Sequence, residues 1–115
     1  MHLHFIETAV LTRRIVGLGL EAELRLLQSE LRANPAAGDT DAGTGGLRKV
    51  RVPVLGRNAG KRGGARVHYL YLAGHGVIYF LFVYGKKEQE TLTPQQKKQL
   101  KAVAESIKKE WDGRA

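Results

Sequence analysis

Three observations predict an α+β fold, with helices packed on one face of a small, largely antiparallel sheet. Apolar residues recur at helical spacing over Leu20–Ala33 and again over Leu100–Trp111. Between those stretches, residues 47–84 hold short alternating or wholly apolar runs divided by glycine-containing turns. The resulting order is β-α-α-β-β-β-α, strands grouped together and helices at the two ends. With 115 residues the chain supports one hydrophobic core, so residues 1–115 are read as a single domain.

Each element has a local reason. His2 to Ile6 is short and alternating, as a first strand should be. Thr8 is placed to cap a short helix carrying Ala9, Val10, Ile15 and Val16, which Gly17 and Gly19 close. In the next helix Leu20, Leu24, Leu27 and Leu31 form one apolar stripe, and Asn34-Pro35 ends it, because a residue before proline is pushed out of the α region. That stripe is too short for a sustained heptad seam, so its leucines belong to the core. Residues 36–46, rich in Gly, Ala, Asp and Thr, read as a loop.

A strand follows at Leu47–Val52, whose alternation sends Arg48, Val50 and Val52 one way and Lys49 and Arg51 the other. Residues 56–64 read as a flexible basic turn. Ala65–Leu72 and Val77–Tyr84 are strands joined at Ala73-Gly74-His75-Gly76, a hairpin signature. Thr93-Pro94 opens the last helix, with threonine as cap and proline in the first turn. Its apolar stripe is Leu100, Val103, Ala104, Ile107 and Trp111.

The formal charge of +8 is unevenly distributed. Residues 47–87 hold Arg48, Lys49, Arg51, Arg57, Lys61, Arg62, Arg66, Lys86 and Lys87 and no acid, whereas residues 1–46 carry more acids than bases. A charge serving only solubility would be interspersed with acids, so the clustering predicts one strongly positive face and a polyanionic partner.

Several chemistries are excluded or disfavoured. No cysteine is present, which removes a disulfide framework, an iron–sulfur site and a thiolate nucleophile, and fits a cytoplasmic protein. The start of the chain has no basic leader with an apolar core and cleavage site, so no secretory signal is expected. The apolar run Val77–Tyr84 is eight residues, too short to span a membrane. Gly56-Arg57-Asn58-Ala59-Gly60-Lys61-Arg62 has the wrong glycine spacing for a phosphate loop and lacks the following Ser or Thr. Gly43-Thr44-Gly45-Gly46 precedes a strand rather than a helix, so it does not open a dinucleotide fold. A two-metal nuclease needs clustered carboxylates, and the strands of residues 47–87 offer none. His2 and His4 share a strand face but have no further ligand signature. No metal and no cofactor are expected.

What remains is a sheet face of guanidinium and ammonium groups. Such groups bind phosphodiester oxygens, and converging on one phosphate they stabilise a pentacoordinate transition state. In RNA the adjacent 2′-hydroxyl supplies the nucleophile. On composition alone, a binding surface is the commoner outcome than a catalyst.

Three clusters bear on that choice: GTGGLRKVRV (Gly43–Val52), GKRGGARVHYLY (Gly60–Tyr71) and YGKKEQETLTPQQKKQL (Tyr84–Leu100). In this order they resemble the HigB branch of the RelE-type toxins, ribosome-dependent messenger RNA interferases of bacterial toxin–antitoxin pairs. The similarity runs from about Phe5 to Lys109. It implies a cytoplasmic toxin that enters the ribosomal A site and cuts mRNA with the RNA 2′-hydroxyl as nucleophile. It also implies neutralisation by a cognate helix-turn-helix, HigA-like antitoxin, with operator DNA met only through that complex and no membrane partner.

Carried over by motif, Arg66 holds the scissile phosphate and Lys86 is a transition-state or leaving-group partner. Lys49 and Arg51 are the paired bases of the second strand. Arg48, Arg57, Lys61, Arg62 and Lys87 are expected against mRNA or ribosomal RNA. Which of Lys86 and Lys87 points into the site stays open, because the closest branch often has Asn at the second position. Thr93 stands near where some members carry a base-stacking tyrosine. His68, two residues after Arg66 where relatives usually have an aliphatic residue, is either an auxiliary acid or base or a partly buried sheet histidine. Tyr69 and Tyr71 lie opposite Arg66 and are expected under helices; Tyr79 and Phe80 are further aromatic residues weighed for stacking. Lys97, Lys98, Lys101, Lys108 and Lys109 either touch ribosomal RNA or form a solvated helix face, the second being the commoner outcome for any one lysine. The alternative for the whole chain is a non-catalytic ribosome- or RNA-binding module.

Overall fold

The structure, a computed structural model, describes residues 2–52 and 64–114. Among them, five strands form one mixed sheet in the order β1-β5-β4-β3-β2, accompanied by three α-helices. The elements are β1 (His4–Glu7), α1 (Ala9–Leu18), α2 (Glu21–Ala33), β2 (Asp39–Thr40), β3 (Arg48–Val52), β4 (Ala65–Leu72), β5 (Val77–Gly85) and α3 (Pro94–Asp112). The expected α+β class is the observed one. β1 pairs parallel with β5, and the other three pairings are antiparallel. No helix among the described residues is long and apolar enough to cross a membrane.

Capping residues set the helix ends. The Thr8 hydroxyl accepts from Leu11 N–H and donates to the Leu81 carbonyl, each at 3.2 Å, so one side chain both starts α1 and ties it to β5. Gly19, at φ 68°, closes α1 in the left-handed region, as the sequence predicts; Gly17 lies inside the helix. Thr93 caps α3 through Gln96 N–H, and Gln96 returns the bond to Thr93 N–H. Thr93 therefore has a structural task.

Two apolar clusters lie on opposite faces of the sheet. Alternation along β4 puts Ala65, Val67 and Tyr69 with Leu11, Ile15, Leu24, Leu27 and Leu31 of α1 and α2. The other face carries Leu70, which joins Leu47, Leu81, Ala104 and Ile107 under α3. Each fully buried leucine in these clusters stabilises the fold by about 1.5–3 kcal/mol. The sequence reading put the helices on one face. Instead they divide, because successive residues of β4 are apolar in both directions at Tyr69 and Leu70. Val103, read as part of the α3 stripe, is 43% exposed and faces a groove of about 210 Å³ shared with Val10, Leu81 and Phe82.

Three local differences remain. The first strand is His4–Glu7 rather than His2–Ile6, and the run read as loop contains β2, whose two residues are too few for a periodicity to show. The basic turn read at 56–64 lies, except for Gly64, outside the described residues. Last, the β4–β5 ladder slips by one residue: His68 pairs with Phe82 but Tyr69 pairs with Phe80, leaving Leu81 as a bulge. That extra residue brings Phe82 and Tyr84 onto the face of Arg66 and His68; in unbroken register both would point toward α1 and α2.

Candidate functional site

Pairing places the sequence-derived basic residues in two rows across the face that α3 only partly covers. One row runs Arg51–Arg66–Tyr84 and the next Lys49–His68–Phe82. Directly opposed residues have Cβ atoms about 4.5–5.5 Å apart. Arg51 is exposed, while Lys49 and Arg66 are half-buried. Arg51 and Arg66 each make contacts within the fold. Two arginines in direct register put like charges on one face, and a phosphate bound there would attract both.

The face is less uniformly positive than the acid-free segment suggests. β2 brings Asp39 into register with Lys49, and Asp41 reaches His68. Both acids come from the run read as loop. His68 is fully buried, and its Nε2 lies 2.9 Å from Asp41 Oδ2. Burial pushes the imidazole pKa below its usual value, more than the Asp41 hydrogen bond raises it. Burial alone would raise the Asp41 carboxyl, but the His68 hydrogen bond, Lys97 at 3.6 Å and Lys49 together hold it below the usual range. The contact is thus a carboxylate hydrogen-bonded to a neutral imidazole, and that requires the proton on Nε2.

Tyr84 is also fully buried, its ring stacked on His68 at 5.8 Å between centroids. Burial pushes its phenol up, and the nearby Arg66 charge partly offsets this. Phe82 lies 6.2 Å from Tyr84 and beneath the Arg14 guanidinium, 4.8 Å from the ring centroid. Sequence reasoning missed Asp41, Phe82 and Tyr84. A buried strand histidine needs a polar partner, and that requirement was the available signal for Asp41.

Lys86 lies in the turn after β5, whose backbone is fixed from two sides. Its N–H donates to the Gly64 carbonyl at 3.2 Å, while Glu88 accepts from Gly85 N–H at 2.9 Å and pairs with Arg14 at 2.7 Å. Burial would raise the Glu88 carboxyl, but those two donors lower it. Lys87 borders a depression with Leu18, Leu20 and Ala65, on the α1–α2 side of the sheet.

Other sequence-derived residues fall elsewhere. Arg48 lies on the face opposite Lys49, its guanidinium donating to the carbonyls of Ala36 and Gly38. Arg57, Lys61 and Arg62 lie outside the described residues. Tyr69 is buried among α1 and α2 and donates to the Pro35 carbonyl, and Tyr71 packs against the same cluster. Tyr79 accepts from Trp111 at 2.8 Å, and Phe80 is core. Of the α3 lysines, Lys97 and Lys108 donate to the Ala42 and Gly45 carbonyls, binding the helix to the loop before β3. His2 and His4 are exposed. Among the described residues, no three His, Asp or Glu side chains are grouped as metal ligands.

Compared with known families, residues 21–113 match the model described as the RelE toxin of the RelE/RelB toxin–antitoxin system.

Proposed function

The chain belongs to the RelE toxin family, and from that premise we propose that it is an endoribonuclease of the HigB branch, cutting mRNA in the ribosomal A site without a metal. The carrying observation is the Arg51–Arg66 opposition, two arginines in register on neighbouring strands of a face that also carries Lys49. In this reading Arg66 grips the scissile phosphate, Arg51 and Lys49 neutralise it, and Lys86 meets the leaving oxygen from the turn after β5.

The RNA 2′-oxygen attacks phosphorus and loses its proton to a base. The bond to the 5′-oxygen breaks, that oxygen takes up a proton, and a 2′,3′-cyclic phosphate remains. The protein stabilises the extra negative charge of the pentacoordinate state. The partner in this reading is a helix-turn-helix antitoxin of the HigA kind, reaching operator DNA as a complex.

The test is cleavage mapping on a defined messenger with purified protein, with and without ribosomes. Cuts within the A-site codon, only when ribosomes are present, are expected. Cutting of naked RNA alone overturns ribosome dependence. Salt-sensitive binding with no cleavage leaves a non-catalytic RNA-binding module.

A further inference from the structure

Among the described residues, two buried side-chain polar atoms have no hydrogen-bond partner: His68 Nδ1 and the Tyr84 hydroxyl. They belong to rings stacked on each other. A buried polar group left unsatisfied costs about 1–3 kcal/mol. Phenylalanine at 84 and an aliphatic residue at 68 would fill much the same space without that cost. Two such groups side by side, next to Arg66, are held against stability.

The Asp41 contact gives the arrangement a direction. A carboxylate only accepts, so His68 Nε2 is the donor and Nδ1 presents a lone pair that needs a donor in turn. The Tyr84 hydroxyl is a donor on the adjacent ring. Once it donates, its oxygen still accepts, and the residue directly opposite Tyr84 is Arg66, which only donates.

We propose that Asp41, His68 and Tyr84 form a buried relay that positions the Arg66 guanidinium on the RNA phosphate. Only the bond from His68 to Asp41 is made in this structure; with RNA bound, Arg66 donates to Tyr84 and Tyr84 to His68, so that every link donates toward the carboxylate. Tyr84 is a positioning residue that acts through Arg66. Asp41 is itself held by Lys97 of α3 at 3.6 Å, so seating of α3 and orientation of Arg66 are linked. The relay rests on the reading of Arg66 as the phosphate grip.

Tyr84→Phe tests it, because the substitution removes one oxygen and leaves the packing. The melting temperature is expected to stay or rise, and ribosome binding to stay, while single-turnover cleavage falls about 100-fold, the scale of a small misplacement of a reacting group. In the Tyr84→Phe background, His68→Val is expected to lower the rate by less than about threefold more, since the chain is already cut. Wild-type cleavage by Tyr84→Phe overturns the relay. So does loss of folding, which would mean that the hydroxyl is bonded within the core.

Nuclear magnetic resonance of the His68 ring nitrogens, with an uncleavable RNA bound, provides a readout that needs no cleavage. Nε2 is expected protonated and Nδ1 bare, with the Nδ1 signal moving in Tyr84→Phe. A protonated Nδ1 or an unmoved signal overturns the relay. Absent cleavage by a wild-type protein with the expected signals would overturn the nuclease reading instead.

Discussion

Arg51 and Arg66 oppose each other on neighbouring strands, and Tyr84 completes their row on the third. Like charges in that position disfavour the free sheet and favour whatever anion lies between them.

Arg66→Ala is therefore expected to abolish growth arrest in cells expressing the protein, and to slow cleavage on ribosomes by about 100- to 1,000-fold, the usual loss for a charge-stabilising donor. Circular dichroism should show an unchanged fold. Full toxicity of soluble Arg66→Ala would remove this residue from the site.

Lys49→Gln and Arg51→Gln should each weaken RNA binding and lower the slope of log affinity against log salt by about one, as expected for one lost phosphate contact. Arg48→Gln should leave that slope alone and reduce stability instead, because its guanidinium holds the Ala36 and Gly38 carbonyls. Fluorescence anisotropy with labelled RNA over a salt series separates the two outcomes.

Acid should destabilise the fold in two stages. The folded His68 resists the proton that the unfolded chain accepts below about 6.5, so stability falls as the pH drops through that value. Asp41 adds a second loss below its ordinary 3.8, since the folded carboxylate stays charged longer than the unfolded one. Urea midpoints measured from pH 8 to 3 should show both, and His68→Gln should erase the first. A flat wild-type profile between pH 7 and 5 would contradict the buried neutral imidazole.

Gly38→Ala should cost about 1–3 kcal/mol of stability, the usual range for overpacking. A Cβ there would stand 2.8 Å from the Lys49 carbonyl oxygen and 3.1 Å from the Tyr69 ring. Because the clash pushes on the backbone of Lys49, RNA affinity should fall along with the urea midpoint. Unchanged stability would mean that β2 shifts freely.

Much of this arrangement was legible in the sequence. Alternation alone separates Lys49 and Arg51 from Arg48, and Arg66 from Tyr69 and Tyr71, since the period of a strand depends only on its own backbone. Threonine-proline marked the start of α3 for a similarly local reason. The bulge at Leu81 was not legible: residues 77–84 are all apolar or aromatic, so no polar–apolar alternation records the slipped register. Asp41 was hidden because the bond to His68 spans 27 positions and begins in a segment without periodicity. The division of helices between faces was hidden because strands apolar on both sides do not announce which helix takes which.

β1 precedes the other four strands of the sheet and is the last of them able to pair. Its partner in parallel register begins at Val77, so His4 waits for both α1 and α2 and the other three strands before its ladder can close. Loop-closure entropy makes such a distant contact a late step in folding. The opposed arginines are joined earlier, through β3 and β4, but the row is not complete until β5 lies down beside them. A nascent chain leaving the ribosome therefore carries an unfinished site until β5 has emerged. A truncated product ending before Val77 would have neither Tyr84 nor a place for its own first strand.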